Sequence, residues 1–244
     1  MKIQSTSNIT FGSENHPLKP VTLYDKAGEP VCISEIRKND KFVKKDINEV
    51  AKFIRAHQDR LFQNRLNIPE TEQDAYDSIN KMDWLNDIKK YLLGILNKED
   101  GNTTILVAKN KNHKIIGSIS LQNFDDKLKS INLSDSKIGY IDNAIINHHN
   151  YKNCQMGLEQ ALLHNVSEAA RGHFTDIISG NELFRFSHNL YESLGFEYLP
   201  QNGDNKIKVL ENKLYSVVDN LGTIHVKSLD AKNSGLKRLI KQIK

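Results

Sequence analysis

Between Lys137 and Phe196 the chain holds several side chains able to do chemistry: Asp142, the pair His148 and His149, Cys154, Ser187 beside His188, and Tyr191. Cys154 stands just ahead of a helical stretch, and the amino terminus of a helix lowers a thiol's pKa. No Cys-His-Asn order with a known local signature surrounds it, so it reads as a loop cysteine. Histidine titrates in the useful range. Adjacent histidines are nevertheless poor metal partners unless a carboxylate or cysteine stands at ligand spacing, so this pair reads as solvated. Ser187 and His188 lack a Gly-x-Ser-x-Gly elbow, and a hydrolase triad is unsupported. A Walker loop and a dinucleotide-binding glycine fingerprint are likewise missing from the sequence.

The elements that must position these groups follow from the apolar pattern. Ile138 to Ile146 is an apolar run that breaks at a polar loop, Asn147 to Gln155. A helix is predicted from about Met156, with Leu158, Leu162, Val166 and Ala169 on one face. Gly172 ends it where a left-handed residue is wanted. A short strand and a second helix follow, closing on Leu194-Gly195-Phe196. A strand feeding a glycine-containing loop that opens a helix suits a phosphate, because the first helical amides are unpaired and the dipole favours an anion.

YKNCQMGLEQALL resembles the acetyl-CoA loop and helix of the GCN5-related N-acetyltransferases (GNAT), whose pattern is Arg/Gln-x-x-Gly-x-Gly/Ala. HNLYESLGF resembles the Tyr-x-x-Leu-Gly-Phe that closes that family's fourth helix, and the two motifs stand the family's distance apart. The resemblance covers roughly residues 32 to 200. It implies an α/β (α+β) fold with a mixed central sheet flanked by helices on both faces, and acetyl-CoA as cosubstrate with no metal. In this family the strand before the loop splays from the next one. Pantetheine would then pair with the backbone of Ile145, Ile146 and Asn147, and the pyrophosphate would lie on the loop amides of Asn153, Cys154, Gln155, Met156 and Gly157, with Lys152 adding a charge. Lys152 stands for the family's Arg or Gln and Gly157 for its last small residue. Gln155 replaces the first glycine, where a side chain crowds the backbone approach. Phe184 stands where an Asn is frequent, with Asn181 one turn earlier.

Acetyl transfer asks that an amine lose a proton, that the thioester carbonyl be polarised, and that the departing thiolate be protonated. The resemblance gives the last task to Tyr191. For the first, Asp142 is placed to draw a proton from an incoming amine through water. The reading is an acetyl-CoA-dependent N-acetyltransferase acting by direct attack, on a small-molecule or protein amine. Its rival is a non-catalytic binding module on the same fold with a decayed cofactor site, favoured by Gln155 and Phe184.

The rest of the 244 residues frames this stretch. A hydrophobic share of 38% and a charged share of 26% describe an ordinary globular chain. No apolar run approaches a membrane span, the start lacks a signal-peptide core, and two cysteines build no disulfide framework. A cytoplasmic protein is expected. The net charge of +4 is concentrated in residues 227–244, which hold six Lys or Arg against Asp230. A nucleic acid therefore has only this basic tail to touch, and the tail reads first as a helix with Leu236, Leu239, Ile240 and Ile243 packed beneath it. A homodimer stays open. Residues 1–20 read as an arm, 21–200 as the acyltransferase domain, and 201–244 as a hairpin plus the tail. Within the domain a hairpin is expected over Val21 to Ile36, a helix opening at Asp46 and Glu49, and a second from about Thr71 to Leu96. A strand pair should turn at Asn110 to His113, with an exposed polar loop over 124–137. A last hairpin is expected around Asp219, with Tyr215 and Val217 in its first arm.

Overall fold

The computed structural model describes residues 18–25, 27–65, 84–98, 102–135, 137–147, 157–181, 188–199, 204–217 and 221–243. The arm and the segment 66–83, with Thr71, Tyr76 and Ile79, fall almost wholly outside them. Strands β1 (Val21–Tyr24) and β2 (Pro30–Ile36) form the first hairpin. Its turn is held by Asp25, whose Oδ1 accepts the amides of Ala27 and Glu29, both at 2.9 Å. Helix α1 (Val43–Arg65) begins a turn before Asp46, which instead pairs with Lys109 at 2.8 Å. Ile47, Val50, Ala51 and Ile54 recur at helical spacing and are buried. Helix α2 (Trp84–Asn97) buries Leu92 and Ile95 beside them. Strands β3 (Thr104–Asn110) and β4 (Ile115–Asn123) meet where expected, with Asn110 Oδ1 accepting from the amides of Asn112 and Lys114 across the turn.

Two stretches fold differently from the expectation. Residues 124–137 are not a loop lying in solvent: Asp125–Lys129 is helix α3, and Phe124, Leu128 and Leu133 are buried. The acids of its first turn and the lysines of its last complement the helix dipole. The polar surface so formed hides Phe124, which stacks on Tyr140 at 5.0 Å. The first arm of the last hairpin is likewise a helix, α6 (Asn205–Tyr215). Asp204 caps it by accepting the amide of Lys206, and Leu210 and Leu214, one turn apart, are buried. The alternation of Tyr215 and Val217 covered too few residues to outweigh a cap and a helical stripe.

The remaining elements are β5 (Ile138–Ile146), α4 (Leu158–Ala170), β6 (Asp176–Asn181), α5 (His188–Ser193), β7 (Glu197–Tyr198), β8 (Leu221–Ser228) and α7 (Gly235–Gln242). One sheet runs in the order β1-β2-β3-β4-β5-β6-β8-β7. It is antiparallel throughout except for β5 and β6, which α4 joins as a crossover and so makes parallel. The strand of the C-terminal segment thus lies inside the sheet, between β6 and β7, and Leu239 and Ile243 of α7 enter the core. Helices α4 and α5 cover one face. The other face is shared by α1 and α2 over β2 to β5, and by α3, α6 and α7 over the far strands.

Candidate functional site

Among the described residues, strand β5 has a β6 partner only over its first half. Ile138 to Ile141 pair with Asp176 to Ser179, and there the pairing stops. Both strands continue on their outer sides: β5 with β4 up to Ile146 opposite Gly117, and β6 with β8 up to Asn181 opposite Leu221. Two strands that keep their outer partners and drop their common one form a fork. A bulge marks its start. The β4–β5 register shifts between Ser118 and Ser120, and Asn143 takes a left-handed φ of 50°.

Backbone directions along the open edge follow from alternation. The Asn147 amide donates to Ile116 O at 2.8 Å, toward β4. Ile145, opposite Ser118 and two residues back, faces the same way. Ile146, between them, therefore turns its amide and carbonyl into the fork. Asn147 is 7% exposed, and its Oδ1 is the one buried side-chain atom without a hydrogen-bond partner among the described residues. An unsatisfied buried acceptor costs about 1–3 kcal/mol, so its placement at the mouth of an open edge calls for a donor.

Helix α4 starts from the same end. Its N-cap, Gly157, has φ 60° and ψ 34°, and as a glycine offers no side chain to cap the helix. A Cβ there would stand 3.3 Å from Gln160 Oε1 in a left-handed conformation that other residues resist. His148, His149, Lys152, Asn153, Cys154, Gln155 and Met156 lie outside the described residues, as do Phe184 and Ser187.

Two polar clusters flank the fork from opposite faces. Alternation puts Tyr140 and Asp142 on one face of β5 and Ile141 on the other. Asp142, the last residue before the bulge, is fixed from three directions. The Asn143 amide donates to its Oδ1 at 2.8 Å, and the Tyr91 hydroxyl of α2 donates to its Oδ2. Ser120 Oγ donates to its carbonyl at 2.9 Å. Gln122 Nε2 in turn donates to Tyr91 Oη at 2.7 Å. Tyr91 as a whole is 39% exposed, while its hydroxyl is enclosed between Asp142 and Gln122. Burial, and then the Asp142 charge and hydrogen bond, push this phenol well above its ordinary pKa against the opposing bond from Gln122.

On the other face, Ser179 pairs with Ile141 at the crotch of the fork, and its Oγ lies 2.9 Å from Tyr191 Oη. Tyr191 is 4% exposed. Its ring stacks on His225 at 4.3 Å and meets Phe196 edge-on at 5.2 Å. Burial pushes its pKa up to about 12, with the Ser179 hydrogen bond opposing. Asp142 and Tyr191, both singled out in the sequence, are thus brought to one end of the β5–β6 pair. Tyr91, Gln122, Ser179 and His225 were not singled out. Tyr91 falls inside the helix expected from about Thr71 to Leu96, which was its only trace.

No group of three or more His, Cys, Asp or Glu side chains is arranged to hold a metal ion among the described residues. An open cleft of about 960 Å³ lies at the other end of the pair, where β5 and β6 begin. It is away from the fork, and its walls carry charges that pair locally, such as Arg238 with Asp135 and Lys129 with Asp125.

No protein-family model matches the sequence, and no curated protein matches it. The structure is similar to that of a GNAT-family acetyltransferase from Staphylococcus aureus Mu50, with a TM-score of 0.50 at 18% identity over 81% of this chain and 99% of that one. It is also similar to the GNAT domain of S. lividans PAT, with a TM-score of 0.50 at 10% identity over 86% and 97% of the two chains. At such identities the likeness speaks for the fold alone. The chain has the fold of the GCN5-related N-acetyltransferases.

Proposed function

We propose that the protein is an N-acetyltransferase that binds acetyl-CoA in the β5–β6 fork and acetylates an amine by direct attack. The observation that carries this reading is the fork itself: an open β5 edge with the Ile146 peptide facing it and the buried, partnerless Asn147 Oδ1 at its mouth. Pantetheine is a chain of amides, and its N–H and C=O groups complement such an edge as an added strand does. The uncapped amino terminus of α4, with a glycine where a side chain would be strained, suits the phosphates. Acetyl-CoA would supply an acyl group already activated as a thioester.

The chain's own residues divide the remaining work between the two faces. Asp142 lies on the face covered by α2 and would receive the amine proton, directly or through water. Tyr191 lies on the α4 and α5 face and stays a neutral phenol at neutral pH. With a free thiol near ~8.5, proton transfer from a phenol near 12 to a thiolate is uphill by roughly 5 kcal/mol. Tyr191 therefore assists by donating a hydrogen bond to sulfur and keeping its proton, a narrower role than general acid.

Calorimetric titration with acetyl-CoA, beside release of free thiol in the presence of a panel of amines, tests the reading. Saturable binding in the micromolar range with amine-dependent thiol release is expected. Binding without transfer to any amine would favour the non-catalytic module suggested by Gln155 in the loop, and no binding would overturn both.

A further inference from the structure

Tyr91 has two parts in different surroundings. Its hydroxyl is enclosed in a chain of hydrogen bonds running from Gln122 Nε2 to Tyr91 Oη and on to Asp142 Oδ2. The residue as a whole is 39% exposed, and with the hydroxyl enclosed that exposure falls to the rest of the side chain. The carboxylate at the end of the chain is also gripped by the Asn143 amide at 2.8 Å, inside the bulge that opens the fork. Donors on both oxygens, one from the backbone and one from a different element, remove the rotation that an aspartate on a strand normally keeps. A surface tyrosine on an amphipathic helix has no packing need to point its hydroxyl at a carboxylate 51 residues away, nor does Gln122 need to be spent on that hydroxyl.

We infer that Tyr91 positions Asp142 for an aliphatic ammonium acceptor, its hydroxyl setting the carboxylate plane beside the fork and its exposed ring forming a wall of the acceptor site. This rests on the acetyltransferase reading above. An alkylammonium group carries its charge at neutral pH, so a fixed carboxylate attracts it and holds it by a hydrogen bond while its proton passes to water. The face of an aromatic ring beside that carboxylate favours the same cation, and its apolar edge favours the attached carbons. A neutral arylamine gains nothing from the carboxylate's charge, and an amine next to a phosphate is repelled by it. Gln122 acts one step further back, fixing the hydroxyl so that its proton points at Asp142.

The two parts of Tyr91 predict a split in the kinetics. Tyr91→Phe keeps the ring and removes the hydroxyl, so it should lower kcat about 10- to 100-fold with KM for an alkylamine little changed. Tyr91→Ala also removes the ring and should raise KM several-fold beyond that. The affinity for acetyl-CoA should be the same in both variants and wild type. If Tyr91 acts through Asp142, Tyr91→Phe in an Asp142→Asn background should cost nothing further, whereas independent structural damage would add. A second readout needs no turnover. The infrared difference spectrum between wild type and Tyr91→Phe should contain a shifted carboxylate stretch that vanishes in the Asp142→Asn background. Additive losses, equal effects on acetyl-CoA affinity, or no carboxylate band would overturn the inference. If wild type binds acetyl-CoA but acetylates no amine while the band is present, the contact is structural and both the inference and the catalytic reading fall. If alkylamines turn over but none of these variants differs from wild type, the inference falls and the reading stands.

Discussion

Where β5 and β6 begin, Asp176 is 1% exposed and surrounded by donors: the Gly235 amide at 2.6 Å, Ser234 Oγ at 3.1 Å, Thr175 Oγ1 at 3.0 Å and the Leu236 amide at 3.3 Å. The carboxylate caps α7 and ties it to the sheet, and Arg238 of the same helix holds Asp135 through both oxygens. Where the same pair of strands ends, they part, and a buried Asn147 oxygen has no partner among the described residues. The ends are alike in burying polar atoms and differ in whether the chain itself satisfies them. A buried polar group met by the fold adds to stability, whereas one left open costs stability and must be explained by something the fold does not supply. The open cleft of about 960 Å³ lies at the satisfied end.

The comparison breaks most visibly at Asp176. Asp176→Ala would leave the Ser234 hydroxyl and the Leu236 amide without their carboxylate acceptor, while the Gly235 amide keeps Thr175 Oγ1 at 2.9 Å and Ser234 Oγ still caps α7 at the Lys237 amide, for a loss of about 2–3 kcal/mol. Gly235 allows no adjustment, since even a Cβ there would stand 2.7 Å from Ile138 Cγ1. Urea unfolding should show a lower midpoint at unchanged slope. Acetyl-CoA affinity of the folded fraction should be unaltered, because the fork is at the other end. A loss under about 1 kcal/mol would show that the end taken as closed is no better satisfied than the open one.

Tyr191 gives a smaller effect with a pH signature. Its folded pKa of about 12 lies above the ordinary 10.0, so the folded state holds the proton more tightly than the unfolded chain. Stability from this shift is complete below about pH 10 and is lost as pH rises through about 12, by roughly 3 kcal/mol in all. Tyr91 is raised too and steepens the wild-type curve in the same direction, so the useful quantity is the difference from Tyr191→Phe. That variant should be about 1 kcal/mol less stable at pH 7, from the lost Ser179 bond, and should converge on wild type as pH rises toward 11. Its acetyl transfer should fall by about tenfold, less than the roughly 10²–10⁴-fold that a proton-transferring group contributes, because the phenol only donates a hydrogen bond. A gap that stays constant with pH would mean that Tyr191 is not buried as described.

What could be read from the sequence had local causes. Leu158, Leu162 and Val166 announced a helix through their spacing, and Gly172 its end, with φ 83°. Asn110 announced a turn through its own side-chain bonds. Misreadings came where local signals were short or mixed. Asp125 to Lys129 is polar enough to pass for a loop, and Tyr215 to Val217 alternates for too few residues to compete with the Asp204 cap. The candidate site was legible only in part, for a different reason. Tyr91 meets Asp142 across 51 residues of sequence, and His225 meets Tyr191 through a strand inserted beside β6. Such contacts are set by sheet order, which no local pattern carries.

The smallest effect on stability is expected at Asn147, and it sharpens the comparison most. Asn147→Leu keeps the volume and burial of the side chain and removes the partnerless oxygen. Deleting a satisfied polar group destabilises, but deleting one already unsatisfied removes a desolvation penalty, so the change should fall within about 1 kcal/mol of zero and could be stabilising. The backbone bond from Asn147 to Ile116 O does not depend on the side chain and should hold β5 in register. Ligand binding should respond in the opposite sense. If a pantetheine amide is the missing donor, acetyl-CoA affinity should drop about tenfold, or about 1.4 kcal/mol, with the enthalpy less favourable. Thermal unfolding without ligand and calorimetric titration of the same preparation measure the two quantities side by side. A variant destabilised by more than about 2 kcal/mol with unchanged acetyl-CoA affinity would make Asn147 a structural residue. The two ends of the β5–β6 pair would then differ only in geometry, and the fork would lose the observation on which its function rests.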